Sequence, residues 1–155
     1  MRSGVRLGID VGTVRIGVSR SDPHGMLATP YETIARSEDA ADRRRIAEIV
    51  TDLGVVEIVV GLPLALSGAR TASTADAVAF AEALVAEVGA PVRLVDERLS
   101  TVSAHSALRS SGKNAKSSRP VVDQAAAAII LQHALDAERA TTRPPGYSVE
   151  PRIGP

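Results

Sequence analysis

Three acidic positions stand where a chain alternating strands and helices would gather them. Asp10 lies near the end of an alternating run, Val5, Leu7, Ile9 and Val11; Asp96 and Glu97 directly follow the apolar run Val92 to Val95; Asp123 opens an alanine-rich stretch with helical spacing. In open α/β sheets, function collects beyond the carboxyl ends of parallel strands. Carboxylates meeting there are hard oxygen ligands, suited to Mg2+ or Mn2+ held together with waters and phosphate oxygens. A pair of such ions about 3.5 to 4 Å apart stabilises both the attacking and the leaving oxygen of a displacement at phosphorus. The chemistry implied is phosphodiester hydrolysis, with Asp10, Glu97 and Asp123 as catalytic, metal-binding acids. Asp10 is favoured over a plain turn residue because Gly8 and Gly12 flank it and leave room for a ligand. Of Asp96 and Glu97, one is expected to cap a helix or pair with an arginine, and Glu97 is taken as the ligand. Asp123 alone would read as a complement to its helix dipole; the other acids bring it into the set.

A basic segment adjoins these acids. From Arg98 to Arg119, which also holds Arg109, Lys113 and Lys116, there is no acidic residue, although the whole chain balances 18 basic against 18 acidic residues. Such a segment suits a polyanionic backbone entering the acidic cluster, and its Ser, Gly, Asn and Lys content predicts a loop that orders on substrate. Aromatic residues make up only 2% of the chain, too few for a platform of stacked bases, so nucleic acid would be held by its backbone or shape. The absence of cysteine excludes a thiolate metal site, an iron–sulfur cluster and a cysteine nucleophile. His24, His105 and His133 have no metal-ligand spacing, and the run from Arg43 to Arg45 reads as a solvated helix face. The segment Gly8-Ile9-Asp10-Val11-Gly12-Thr13 is neither a dinucleotide fingerprint nor a Walker loop.

The elements that must position these groups follow from periodicity. At 155 residues, 45% of them hydrophobic, the chain suits one domain. Residues 5–11 and 14–18 alternate as a hairpin, and residues 26–35 add a third strand. Ser37 is placed to cap a helix with the stripe Ile46, Ile49, Val50 and Leu53, stopped by Gly54. The apolar strand Val55 to Val60 runs into Gly61-Leu62-Pro63; a helix starts at Ser73-Thr74-Ala75-Asp76 and ends by Gly89; the strand Val92 to Val95 follows. A helix over 101–110, a polar loop over 111–120 and a helix over 121–139 complete the domain. The expected fold is an α/β mixed five-stranded sheet flanked by helices, spanning 1–140. The tail, 141–155, carries four of the nine prolines and is expected to be irregular or disordered. Charges interrupt the N-terminal apolar stretch and no run approaches the roughly 20 residues needed to span a bilayer, so the expected place is the cytoplasm, with no membrane partner.

In family order, the motifs Gly8-Ile9-Asp10-Val11-Gly12-Thr13 with Arg15-Ile16-Gly17-Val18, Val60-Gly61-Leu62-Pro63-Leu64, Asp96-Glu97-Arg98-Leu99-Ser100-Thr101, and Val122-Asp123 followed by Ala126-Ala127 and Ile129-Ile130-Leu131 resemble the YqgF family, also called RuvX. The resemblance covers about residues 5 to 139 and implies an RNase H-like fold. It implies that Asp10, Glu97 and Asp123 are the metal-binding catalytic acids and that Arg15, Arg98 and Thr101 line the site. It further implies a nuclease of pre-16S rRNA 5′ maturation in ribosome biogenesis. The alternatives are a Holliday junction resolvase in DNA recombination and repair, which as a symmetric cutter would be a homodimer, and a non-catalytic RNA-binding assembly factor.

Overall fold

The computed structural model describes residues 2–97 and 115–151, with only the backbone of 115–121. Strands β1 (Val5–Val11), β2 (Arg15–Ser21) and β3 (Ala28–Ala35) form the expected meander, followed by α1 (Ala41–Leu53), β4 (Val55–Leu62), α2 (Ala72–Glu87), β5 (Val92–Asp96), α3 (Ala115–Thr141) and β6 (Tyr147–Ser148). One six-stranded sheet results, in the order β3-β2-β1-β4-β5-β6. The meander is antiparallel, β4 and β5 join β1 in parallel, and β6 closes the far edge antiparallel.

Alternation within the strands sorts side chains onto two faces. Leu7, Ile9, Ile16, Val18, Ile58, Val60, Leu62, Val92 and Leu94 form one core with Ile46, Ile49, Phe80 and Leu84 of α1 and α2. The opposite face carries a smaller cluster in which Val59 packs against Ile130, Leu131, Ala134 and Leu135 of α3. Polar residues on this second face are buried too. Arg6, Glu57 and Glu138 are 1%, 2% and 5% exposed; Arg6 contacts Glu138 at 3.2 Å, and Arg2 reaches both Glu57 and Glu138. Helix α3 is thereby clamped by charge at its C-terminal end, over the start of β1.

Local start and stop signals behave largely as expected. Gly54, at φ 62°, ends α1 by returning its N–H to Thr51 and Val50. Ser37 is not the cap of α1 as expected: that position is Ala40, at φ 67° and with no side-chain cap bond, although Ser37 Oγ accepts from Asp42 N–H at 2.9 Å and an Asp42 carboxylate oxygen accepts from Ser37 N–H at 3.2 Å. The cap of α2 is Thr71, two residues before the expected Ser73; Thr71 and Thr74 exchange side-chain and backbone bonds, and Thr74 Oγ1 also donates to the Pro63 carbonyl.

Three expectations are corrected. Residues 115–120, read as loop, belong to α3, so Asp123 lies inside the helix rather than in its first turn; their polar composition reads as a loop although the backbone is helical. The sheet has six strands rather than five. The tail is also not wholly irregular. Through residue 151 it turns back along β5: Arg93 donates to the carbonyls of Pro145 and Gly146, Val149 N–H donates to Val92 at 2.8 Å, and Pro145 is buried. Proline content concealed this, whereas the unpaired edge of β5 supplies the reason for it. The expected helix over 101–110 and residues 152–155 lie outside the described residues.

Because Arg6 is enclosed, removing its partner leaves a buried charge uncompensated. Glu138→Ala is therefore expected to lower stability by about 3 kcal/mol, read from urea unfolding; a loss no larger than that of an exposed substitution contradicts the clamp.

Candidate acidic site at the sheet edge

The site is built around the sixth residue of β1. Asp10 pairs across the ladder with Gly17 of β2, and on its other side Ile9 is in register with Val60, which sets Gly61 beside Asp10. Both neighbours lack side chains on the face that α3 covers. A Cβ at Gly17 would lie 1.9 Å from the Asp123 carbonyl oxygen, and one at Gly8 would lie 2.8 Å from the Ala127 carbonyl. The backbone of α3 thus rests almost directly on the strands, and Ser19 Oγ donates to the Ala127 carbonyl at 2.8 Å. This contact delivers Asp123 to the end of β1. On the other side, the space that a Gly61 side chain would fill is taken by Glu97, whose Oε2 would be 2.2 Å from a Cβ there.

Glu97 continues the ladder one step past β5, donating its N–H to the Leu62 carbonyl at 3.3 Å. Its side chain turns inward and is 8% exposed, whereas the neighbouring Asp96 is exposed. The two neighbours thus differ in exposure, and Glu97 is the one that contacts Asp10. Burial pushes the Asp10 carboxyl up from 3.8 to about 6, the negative charge of Asp123 pushes it in the same direction, and a hydrogen bond with Glu97 partly opposes them. Two carboxyl groups in hydrogen-bond contact require a proton between them.

Arg15, at the start of β2, donates Nε–H to Asp123 Oδ2 at 2.8 Å. Asp10 is thus near both other acids, while Asp123 also holds a guanidinium. Among the described residues no three acidic or histidine side chains stand close enough to make a ready cation site. The donor set is still of a kind that suits a hard divalent cation: the carboxylates of Glu97 and Asp123 lie beside that of Asp10, and a positive side chain already sits on one of them. Arg98, Thr101, Arg109 and Lys113 lie outside the described residues, as do the side chains of Lys116 and Arg119.

One contributor had not been singled out from the sequence. Arg36, just past β3, binds Asp76 of α2 through two bonds of 2.9 and 3.1 Å, donates to the Gly12 carbonyl at 2.9 Å, and lies 5.4 Å from the Phe80 ring centre. It ties the β1–β2 turn to the helical layer. An arginine after a strand of mixed polarity carries no signal for that role; the contacts appear only when three distant elements pack.

Comparison with known proteins places this geometry in context. The profile of the RuvX family, described as "Holliday junction resolvase", matches residues 4–137. A protein of Leifsonia xyli subsp. xyli named "Putative pre-16S rRNA nuclease" is 92% identical over 155 residues, all of both chains. One of the same name from Clavibacter michiganensis subsp. michiganensis is 59% identical over 150 residues, covering 96% of this chain and 93% of its own. In structure, RuvC of T. thermophilus in complex with Holliday junction substrate matches with a TM-score of 0.56 at 21% identity, over 92% of this chain and 99% of that one. This likeness establishes an RNase H-like fold.

Two outcomes follow. A carboxyl whose folded pKa is raised binds a proton that the unfolded chain releases, so its stability contribution is full below about pH 4 and is lost as pH rises through about 6. Asp10→Asn, with no charge to bury, should stabilise the cation-free protein above pH 6 by on the order of 3 kcal/mol and by little near pH 4. Urea unfolding at the two pH values checks this, and an equal effect at both contradicts it. Gly17→Ala would press a Cβ into helix backbone, and a loss of roughly 1 to 3 kcal/mol is expected; unchanged stability would show that α3 sits farther from the sheet.

Proposed function

The chain belongs to the RuvX family, and we propose that it is a metal-dependent endonuclease hydrolysing nucleic-acid phosphodiester bonds, acting in the 5′ maturation of pre-16S rRNA. The observation that carries this reading is the placing of Asp10 beside both Glu97 and Asp123, from three separate elements, at the carboxyl end of the central strand β1. The near-complete coverage of relatives named for pre-16S rRNA processing supports the substrate, and action on that precursor implies the cytoplasm. Among the described residues, no helix is long and apolar enough to cross a membrane.

Asp10, Glu97 and Asp123 would hold Mg2+ or Mn2+. When bound, such an ion supplies charge neutralisation at the phosphodiester undergoing hydrolysis. The protein's own contribution is positional: β1, the residue after β5, and α3 each deliver one carboxylate, and the missing side chains at Gly17 and Gly61 let the α3 backbone and Glu97 close in beside Asp10. Arg15, Arg98, Thr101, Arg109, Lys113, Lys116 and Arg119 would hold the substrate backbone. None of these contacts depends on base identity, so selection would rest on substrate shape.

A second reading, resolution of four-way DNA junctions, is favoured by the description of the family profile and would require a homodimer presenting two sites. The deciding experiment is a cleavage panel of pre-16S leader RNA, single-stranded RNA and a four-way junction in Mg2+ and Mn2+, with Asp10→Asn in parallel. Cleavage of leader RNA, reduced roughly a hundredfold or more in the variant with RNA binding kept, is expected. Junction cleavage alone by a dimer selects the second reading. Salt-dependent binding with no cleavage of any substrate would leave a non-catalytic RNA-binding assembly factor.

A further inference from the structure

Arg15 is fixed at its backbone, while its charged end rests on one partly exposed ion pair. Its carbonyl accepts the Gly12 N–H at 2.9 Å, closing the β1–β2 turn, and its Cα is in register with Ala35 of β3. The side chain leaves this frame and crosses to α3, where Nε–H meets Asp123 Oδ2 at 2.8 Å. The two side chains are 31% and 21% exposed. This pair differs from the Arg6–Glu138 contact, whose side chains are 1% and 6% exposed. A half-open ion pair is weak, and one that engages a carboxylate beside Asp10 and Glu97 stands where a stronger cation would compete.

We propose that Arg15 is a placeholder: it neutralises Asp123 in the cation-free protein, and divalent-cation binding takes Asp123 and frees the guanidinium for a phosphate of the nucleic acid. This rests on the nuclease reading above. A guanidinium presents the same fork of donors to a carboxylate and to a phosphate, so one side chain serves both acceptors without rebuilding. The exchange explains why no three acids form a ready cation site among the described residues, since Asp123 is engaged elsewhere. It also links the two binding events, because the ion releases the arginine that grips substrate. Arg15 therefore acts as a positioning residue through Asp123 before it acts as a ligand for the nucleic acid.

The test uses the full chain and follows the Arg15 Nε–H resonance by NMR, with Mg2+ as probe and Asp123→Asn identifying the paired signal. The expected result is that the paired signal is lost with the same midpoint at which backbone amides of residues 10–12 report Mg2+ binding. Calorimetry of Arg15→Gln should give Mg2+ binding about three- to tenfold tighter than wild type, while single-stranded RNA binds more weakly in Ca2+. Arg15→Lys, which keeps the charge, should bind Mg2+ with intermediate affinity. A merely structural arginine would not move cation and RNA affinity in opposite directions. If Mg2+ binds at residues 10–12 and the Nε–H signal persists, the placeholder role is overturned and the acidic site stands. If Mg2+ binds neither wild type nor Arg15→Gln, the acidic-site reading itself fails and takes this proposal with it.

Discussion

The close seating of α3 on the sheet is the contact on which the rest of the structure depends. Helices ordinarily rest on side chains, but here Gly8 and Gly17 let helix carbonyls approach strand backbone at Ala127 and Asp123. The approach is locked by Ser19, which bonds the Ala127 carbonyl, and by Gln124 and Gln132, which bond Thr33 and the Ala28 amide of β3. A helix one side-chain layer higher would leave Asp123 too far from Asp10 for either to influence the other.

The same helix carries a stabilising charge cluster near its C-terminal end and the candidate site in its N-terminal half. Glu138 and Asp123 are fifteen residues apart, about 22 Å of helix, and both lie on the face toward the sheet. At the Glu138 end Arg6 is enclosed, so its pairing is a permanent part of the fold. At the Asp123 end the arginine is accessible and its carboxylate is shared among competing demands. The contrast goes with strand position: Arg6 is the second residue of β1 and its side chain is 1% exposed, while Arg15 begins β2 beside the β1–β2 turn and its side chain is 31% exposed.

Much of this was legible in the chain because it depends on short-range pattern. The alternation of β1 and β2, the apolar run of β4 and the stop at Gly54 require only neighbours in sequence. Asp10 and Glu97 stood out because strand ends are marked by where alternation or apolarity breaks off. What was hidden depends on partners far away. Arg6 sits in an alternating strand like any solvent-facing residue, and only Glu138, 132 positions later, makes it interior. The helical state of residues 115–120 was obscured by their polar composition, and the ordered tail by its prolines; in the tail, the demand of the β5 edge outweighs local composition. The pairing of Arg15 with Asp123 had no signal, since a basic residue near acids reads equally as a partner for them or for phosphate.

We propose that the carboxylates of Asp10, Glu97 and Asp123 serve one divalent cation. Crystals grown with Mn2+ and measured for anomalous scattering test it most directly. The expected result is a peak bound by oxygens of all three residues, with Asp123 no longer on Arg15. A Mn2+ peak elsewhere, or one bound without Asp123 while the Arg15 pair stays intact, would contradict it.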